Sequence, residues 1–177
     1  MQQGNGNKSF TLIETLFYIS LLVSVLFVMS SFLIWTTRAS NKSRVMGETA
    51  DNARRAMEII THEIREAESI YIPTSIFALH PGQLSLETKK YLPADENKTY
   101  IDFYLSDGKL CLKKEAQNPI CLTSERVEVK NLIFRQVLAD QIPSIEVDLS
   151  VDYKNPLGTP EYGASVNLRS VASPRSY

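Results

Sequence analysis

The chain has 177 residues, a formal net charge of −1 at pH 7, and 44% apolar residues. That length suits one folded domain plus an accessory segment, because a second core is rarely needed below about 250 residues. The 19 Lys and Arg residues are scattered rather than gathered into a stripe, so the charge pattern argues against nucleic acid as a partner.

The chain opens on a polar stretch, MQQGNGNKS, whose Gly, Asn and Gln residues start a helix poorly. This stretch reads as a disposable leader. From Thr15 to Trp35 no charged residue occurs, and at 1.5 Å per residue such a run crosses a hydrocarbon core of about 30 Å as a helix. A secretory signal has a shorter apolar run of about 7 to 15 residues, followed by a small-x-small cleavage site. Here the run ends on Trp35 and continues into Thr36-Thr37-Arg38. Positive charges do not orient the span, because Lys8 flanks one side and Arg38, Lys42 and Arg44 flank the other.

Glu14 sits just inside the apolar stretch, where an acid at mid-membrane costs about 2.5 to 3.5 kcal/mol on insertion scales. A cut between Ser9 and Phe10 would create an amine four residues before Glu14. That is one helical turn away, and the carboxylate also lies at the positive end of the helix dipole. The pairing can form within one subunit. In a packed bundle, Glu14 of one chain can equally meet the free amine of the next and fix an axial stagger, since every other register leaves the charge alone. The plainer reading is a signal-anchored protein in which Glu14 is tolerated near the interface.

The run Lys8-Ser9-Phe10-Thr11-Leu12-Ile13-Glu14, directly ahead of the apolar segment, resembles the prepilin cleavage and methylation motif of type IV pilins and type II secretion pseudopilins. The likeness covers roughly the first 30 residues and joins a basic leader residue, a cut site, an aromatic first residue, an acid and a spanning helix. It implies cleavage at Ser9/Phe10 by prepilin peptidase, N-methylation of Phe10, and use of Glu14 in subunit docking. The implied partners are other major and minor pilin or pseudopilin subunits and the inner-membrane assembly platform. The implied location is the inner or cytoplasmic membrane, with the head periplasmic or extracellular. Ser9 stands where the family usually has Gly, and Ser31 where many pilins carry a helix-breaking Pro.

Past the span, Met46, Ala50, Ala53, Met57, Ile60, Ile64 and Ala67 alternate at steps of four and three, one helical stripe. No proline occurs before Pro73, so a single helix of about 60 residues is expected from Phe10 to about Ser69. Its outer half is expected to pack on the chain's own sheet rather than form a coiled coil, because the seam lasts only about three heptads. Gly47 is a weak point at which the helix is free to bend.

Beyond Pro73 the period changes to that of strands. Ile101, Phe103 and Leu105 alternate with Tyr100, Asp102 and Tyr104, and Asp107-Gly108 supplies a hairpin turn. Counting back from the turn sets Leu105 opposite Leu110, Phe103 opposite Leu112 and Asp102 opposite Lys113, and places Cys111 on the face of Tyr104. Val127 and Val129 differ in parity from Leu132 and Phe134, which predicts a bulge near Lys130-Asn131. Ile145, Val147, Leu149, Val151 and Tyr153 form one face of the clearest strand. A loop from Asn155 to Gly163 and a last strand at about Ala164 to Val171 complete the head. The fold class is therefore α+β, a long N-terminal helix packed on an antiparallel sheet. The organisation is a leader at 1–9, a membrane half of the helix at 10–35, an amphipathic half at 36–69, a head at 70–171 and a disordered tail at 172–177.

Within the family, THEIREAESIYIP and GASVNLRSV are similar to segments of J-type minor pseudopilins and W-type minor pilins, which implies a minor structural subunit near a filament tip. The outermost K-type subunit lacks the docking acid, so Glu14 speaks against that position. The other functional class is an uncleaved single-pass membrane-anchored binding module.

Cys111 and Cys121 lie on successive strand-like segments. In an exported head they can form a disulfide worth up to about 3 kcal/mol; the alternative is two separate buried or edge thiols. His62 and His80 lack metal-ligand spacing and read as surface or capping residues. Glu146, Asp148 and Asp152 follow from strand alternation rather than from an ion-binding loop. No metal, no cofactor and no catalytic residue is assigned, since the chain has no nucleophile elbow, Ser-His-Asp set or glycine-rich phosphate loop; an enzyme is not expected.

Overall fold

The computed structural model describes residues 11–90, 96–115, 117–139, 142–156 and 158–175. The fold is α+β. A 55-residue helix, α1 (Leu12–Glu66), precedes two antiparallel sheets. The first sheet has the order β1 (Ser69–Ile70), β2 (Leu84–Thr88), β3 (Thr99–Ser106), β4 (Lys109–Lys114), β5 (Ile120–Cys121). The second has the order β6 (Val127–Ala139), β7 (Ile142–Tyr153), β8 (Ser165–Ala172). The chain divides into two compact units at Ser40/Asn41.

In the first unit, the apolar side chains of α1 from Leu12 to Trp35 are exposed, and the helix is long and apolar enough to cross a membrane. Its hydroxyls are satisfied along the helix: Ser24 donates to the Ser20 carbonyl at 2.8 Å, Ser31 to Phe27 at 3.0 Å and Thr36 to Phe32 at 2.9 Å. Such internal bonds spare the polar groups a search for partners in an apolar medium. At Ser31 the helix continues unbroken.

In the second unit, Ala53, Ala56, Met57, Ile60, Ile64 and Ala67 join the core residues of both sheets, among them Phe103, Leu112, Leu132, Phe134, Val147 and Val151. The expected stripe is right from Ala53 onward and wrong at its start. Met46 is 41% exposed, and Val45 and Thr49 are buried in its place. Thr49 tolerates burial because its hydroxyl donates to the Val45 carbonyl at 2.9 Å. The helix ends at Glu66 rather than Ser69, because Glu68 and the two residues of β1 already pair with β2. It also runs through Gly47 without interruption.

The β3–β4 hairpin has the expected register, with Asp102 opposite Lys113, Phe103 opposite Leu112 and Leu105 opposite Leu110. Its turn residues, Asp107 and Gly108, have φ of 50° and 72°, the left-handed pair that a two-residue hairpin loop needs. The bulge also lies where expected: Val129 pairs with Val151 and Asn131 with Ser150, leaving Lys130 as the extra residue. It resets the phase so that Val127, Val129, Leu132 and Phe134 are all buried.

Three features differ from the sequence expectation. The head contains two sheets rather than one, and β2 supplies a strand in a region that the sequence reading leaves without an element. The chain from Ile76 to Gln83 forms a bridged loop against the edge of β6, with Ala78 N–H donating to the Phe134 carbonyl at 2.8 Å and Gly82 N–H to the Leu132 carbonyl at 2.9 Å. The end of the chain is tied down past residue 171. Ala172 is buried at the end of β8, Ser173 hydrogen-bonds Ser144 at 2.7 Å, and the Arg175 backbone N–H donates to the Arg65 carbonyl at 3.2 Å.

Candidate assembly site at the start of the helix

Ser9 and Phe10, the expected cleavage pair, lie outside the described residues. Thr11 and Glu14 lie within them. Thr11 stands before the first helical residue, Leu12, and its Oγ1 accepts a hydrogen bond from the Glu14 backbone N–H at 3.3 Å. Its carbonyl accepts from the N–H groups of Glu14 and Thr15 at 3.1 and 3.2 Å. Thr-x-x-Glu is the spacing of a capping box, in which the threonine hydroxyl satisfies an orphan donor of the first turn. Glu14 therefore occupies the one turn of the apolar helix where the exposed N–H groups and the dipole both favour an anion. The Thr11-Glu14 spacing is the sequence signal of this cap.

The Glu14 side chain does not complete that box among the described residues. It turns instead toward the next turn, where the Tyr18 hydroxyl donates to Oε1 at 3.4 Å. From Thr11 to Thr37, Glu14 is the sole charged residue, and it is half-buried among exposed neighbours. The turn thus holds an acid contacted by one phenol.

Compared with protein-family models, with curated proteins and with solved structures, the chain matches none. The architecture itself is pilin-like, a long helix with an apolar N-terminal half and antiparallel sheets packed on its later turns.

Elsewhere in the head, Cys111 and Cys121 form a disulfide between directly opposed residues of β4 and β5. The bond fixes a two-residue strand whose Ile120 is 61% exposed. The following chain is held by Leu122 N–H donating to the Leu110 carbonyl at 2.7 Å, and by Ser124 N–H donating to Asn52 Oδ1 of α1 at 2.9 Å. Asn52 is a positioning residue that the sequence reading missed; a polar residue beside the apolar stripe is its one sequence signal.

The acidic edge of β7 is matched by arginines. Arg135 contacts Glu146 at 2.8 Å and Asp148 at 3.5 Å, and Arg169 contacts Asp148 at 3.0 Å. Among the described residues no group of three or more His, Cys, Asp or Glu side chains converges in a way that could hold a metal. His80 accepts a hydrogen bond at Nδ1 from the Leu132 N–H at 3.1 Å, a capping contact on β6, and His62 is exposed.

Charged pairs also clasp the end of α1. The Lys90 ammonium, by hydrogen bond and by charge, holds the Glu66 carboxyl below the usual carboxylate range, and Arg175 at 3.7 Å adds to this. The Lys89 hydrogen bond does the same for Glu68.

Proposed function

We propose that the chain is a minor pilin-like structural subunit, cut by prepilin peptidase at Ser9/Phe10, methylated on Phe10, and built through its first helix into a type II secretion pseudopilus or type IV pilus, near the tip. Its role is mechanical rather than catalytic. The carrying observation is Glu14, a lone acid in the first turn of an exposed, otherwise uncharged helical segment, on a chain whose remainder packs an amphipathic helix on antiparallel sheets. In an apolar bundle a carboxylate is costly unless a cation meets it, and the amine released at Phe10 is the nearest cation that processing supplies.

The reading predicts that Glu14→Gln reaches the membrane at wild-type level but loses at least about tenfold of its incorporation into sheared filaments, the scale expected for removing one member of a buried charge pair. Normal incorporation of that variant would count against it.

A further inference from the structure

The edge of β6 is covered over part of its length only. Leu132 and Phe134 direct their backbone groups away from β7, since their carbonyls accept from Gly82 and Ala78 and the Leu132 N–H donates to His80. Alternation along a strand sends the backbone groups of Gln136 and Leu138 the same way. Pro143 supports this assignment independently. It stands opposite Leu138 in the ladder and has no N–H to exchange, so the pair is of the kind whose backbone groups face outward.

Past Phe134 the covering loop has ended, and no backbone hydrogen bond reaches the outward groups of Gln136 or Leu138 among the described residues. Both residues are exposed, Leu138 at 77%. Beside them lies an open groove of about 620 Å³ lined by Ile70, Ile72, Gln136, Val137, Leu138, Pro143 and Ser144. Ile72 is 61% exposed, and no lining residue is ionisable.

An open strand edge invites pairing with another chain, and native folds normally shield such edges with charge, proline or a covering segment. The free edge of β8 has such shielding, with Arg169, Asn167 and Ser165 exposed along it. Among the described residues the β6 edge at Gln136–Leu138 has none, and it adjoins an apolar groove. Free main-chain donors and acceptors select an extended backbone, and a groove without charge selects an apolar side chain.

We infer that the Gln136–Leu138 edge of β6 takes up an extended, uncharged segment of a different protein chain as an added strand, with one apolar side chain of that segment seated in the groove. The inference lies wholly within residues 41–177 and holds whether or not the N-terminus is processed.

The test is hydrogen exchange by NMR on the full-length ¹⁵N-labelled protein in detergent micelles, with and without a capped peptide of alternating Val and Thr. The Gln136 and Leu138 amides should exchange fast alone and slow by at least about tenfold with peptide. A peptide with Lys at its central Val should give no slowing. Leu138→Arg, at an exposed site, should abolish it at Gln136. Gln136→Pro removes an N–H that the fold does not use, which an edge strand tolerates, and should abolish it at Leu138.

Slow exchange of both amides in the isolated protein, independent of its concentration, would overturn the inference by showing the edge already covered. Slowing that grows with protein concentration without peptide would overturn it in favour of a second copy. Equal slowing by the Lys peptide would remove the groove from the account.

Discussion

The same substitution at two glycines should move stability in opposite directions. A Cβ on Gly82 would lie 2.9 Å from the Leu132 carbonyl oxygen and 3.1 Å from Phe134 Cδ2, both belonging to fully buried residues. The loop must retreat, which weakens the Gly82–Leu132 hydrogen bond and leaves a buried carbonyl short of a partner. Overpacking costs about 1 to 3 kcal/mol, the orphaned carbonyl about as much, and the lower chain entropy of unfolded Ala returns about 0.4 to 1 kcal/mol. Gly82→Ala should therefore destabilise the head by about 3 kcal/mol. At Gly47 a Cβ meets nothing within 4 Å, and the position is an exposed helix interior, where Ala is better than Gly by about 1 kcal/mol. Urea unfolding in micelles, followed by near-UV circular dichroism, is the assay. With a slope of about 2 kcal/mol per molar, Gly82→Ala lowers the midpoint by about 1.5 M and Gly47→Ala raises it by about 0.5 M. Shifts of the same sign at both positions would refute the reasoning from close approach.

Removing the disulfide by Cys111→Ser with Cys121→Ser should cost the head about 2.7 kcal/mol in the chain-entropy account of a loop this short, and a reducing agent should reproduce the loss in the wild type by the same urea assay. Glu66 and Glu68 have carboxyls held below their unfolded values by Lys90 and Lys89. Their contribution is therefore complete above the unfolded carboxylate pKa of about 4.3 and disappears as pH falls through the lower folded values. Lys90→Met should move the Glu66 midpoint upward and flatten that part of the acid unfolding profile.

Much of the fold was legible because local rules fixed it. Asp107-Gly108 admits essentially one hairpin, and that turn sets every pair from Ser106–Lys109 back to Ile101–Lys114. The parity change between Val129 and Leu132 can be reconciled only by an extra residue, which is Lys130. The division into two sheets was not legible, because it depends on which edges meet in space. Leu84 and Leu86 alternate with Ser85 and Glu87, yet all four are buried, so the polar pair did not read as a wet face. At the candidate assembly site, Glu14 stands out by its charge in an apolar run and by its spacing from Phe10. The Tyr18 contact requires a rotamer, and the Gly82 approach requires the packed partner. The start of the helical stripe was misplaced because Thr49, polar by type, hides its hydroxyl on its own helix.

The account rests on processing that turns the start of this chain into an assembly element, and intact mass of the protein extracted from its native membrane tests this most directly. The account predicts loss of the nine residues Met1 to Ser9 and a gain of about 14 Da on Phe10 for one methyl group. A protein that keeps Met1-Gln2-Gln3 and carries no methyl on Phe10 would contradict it.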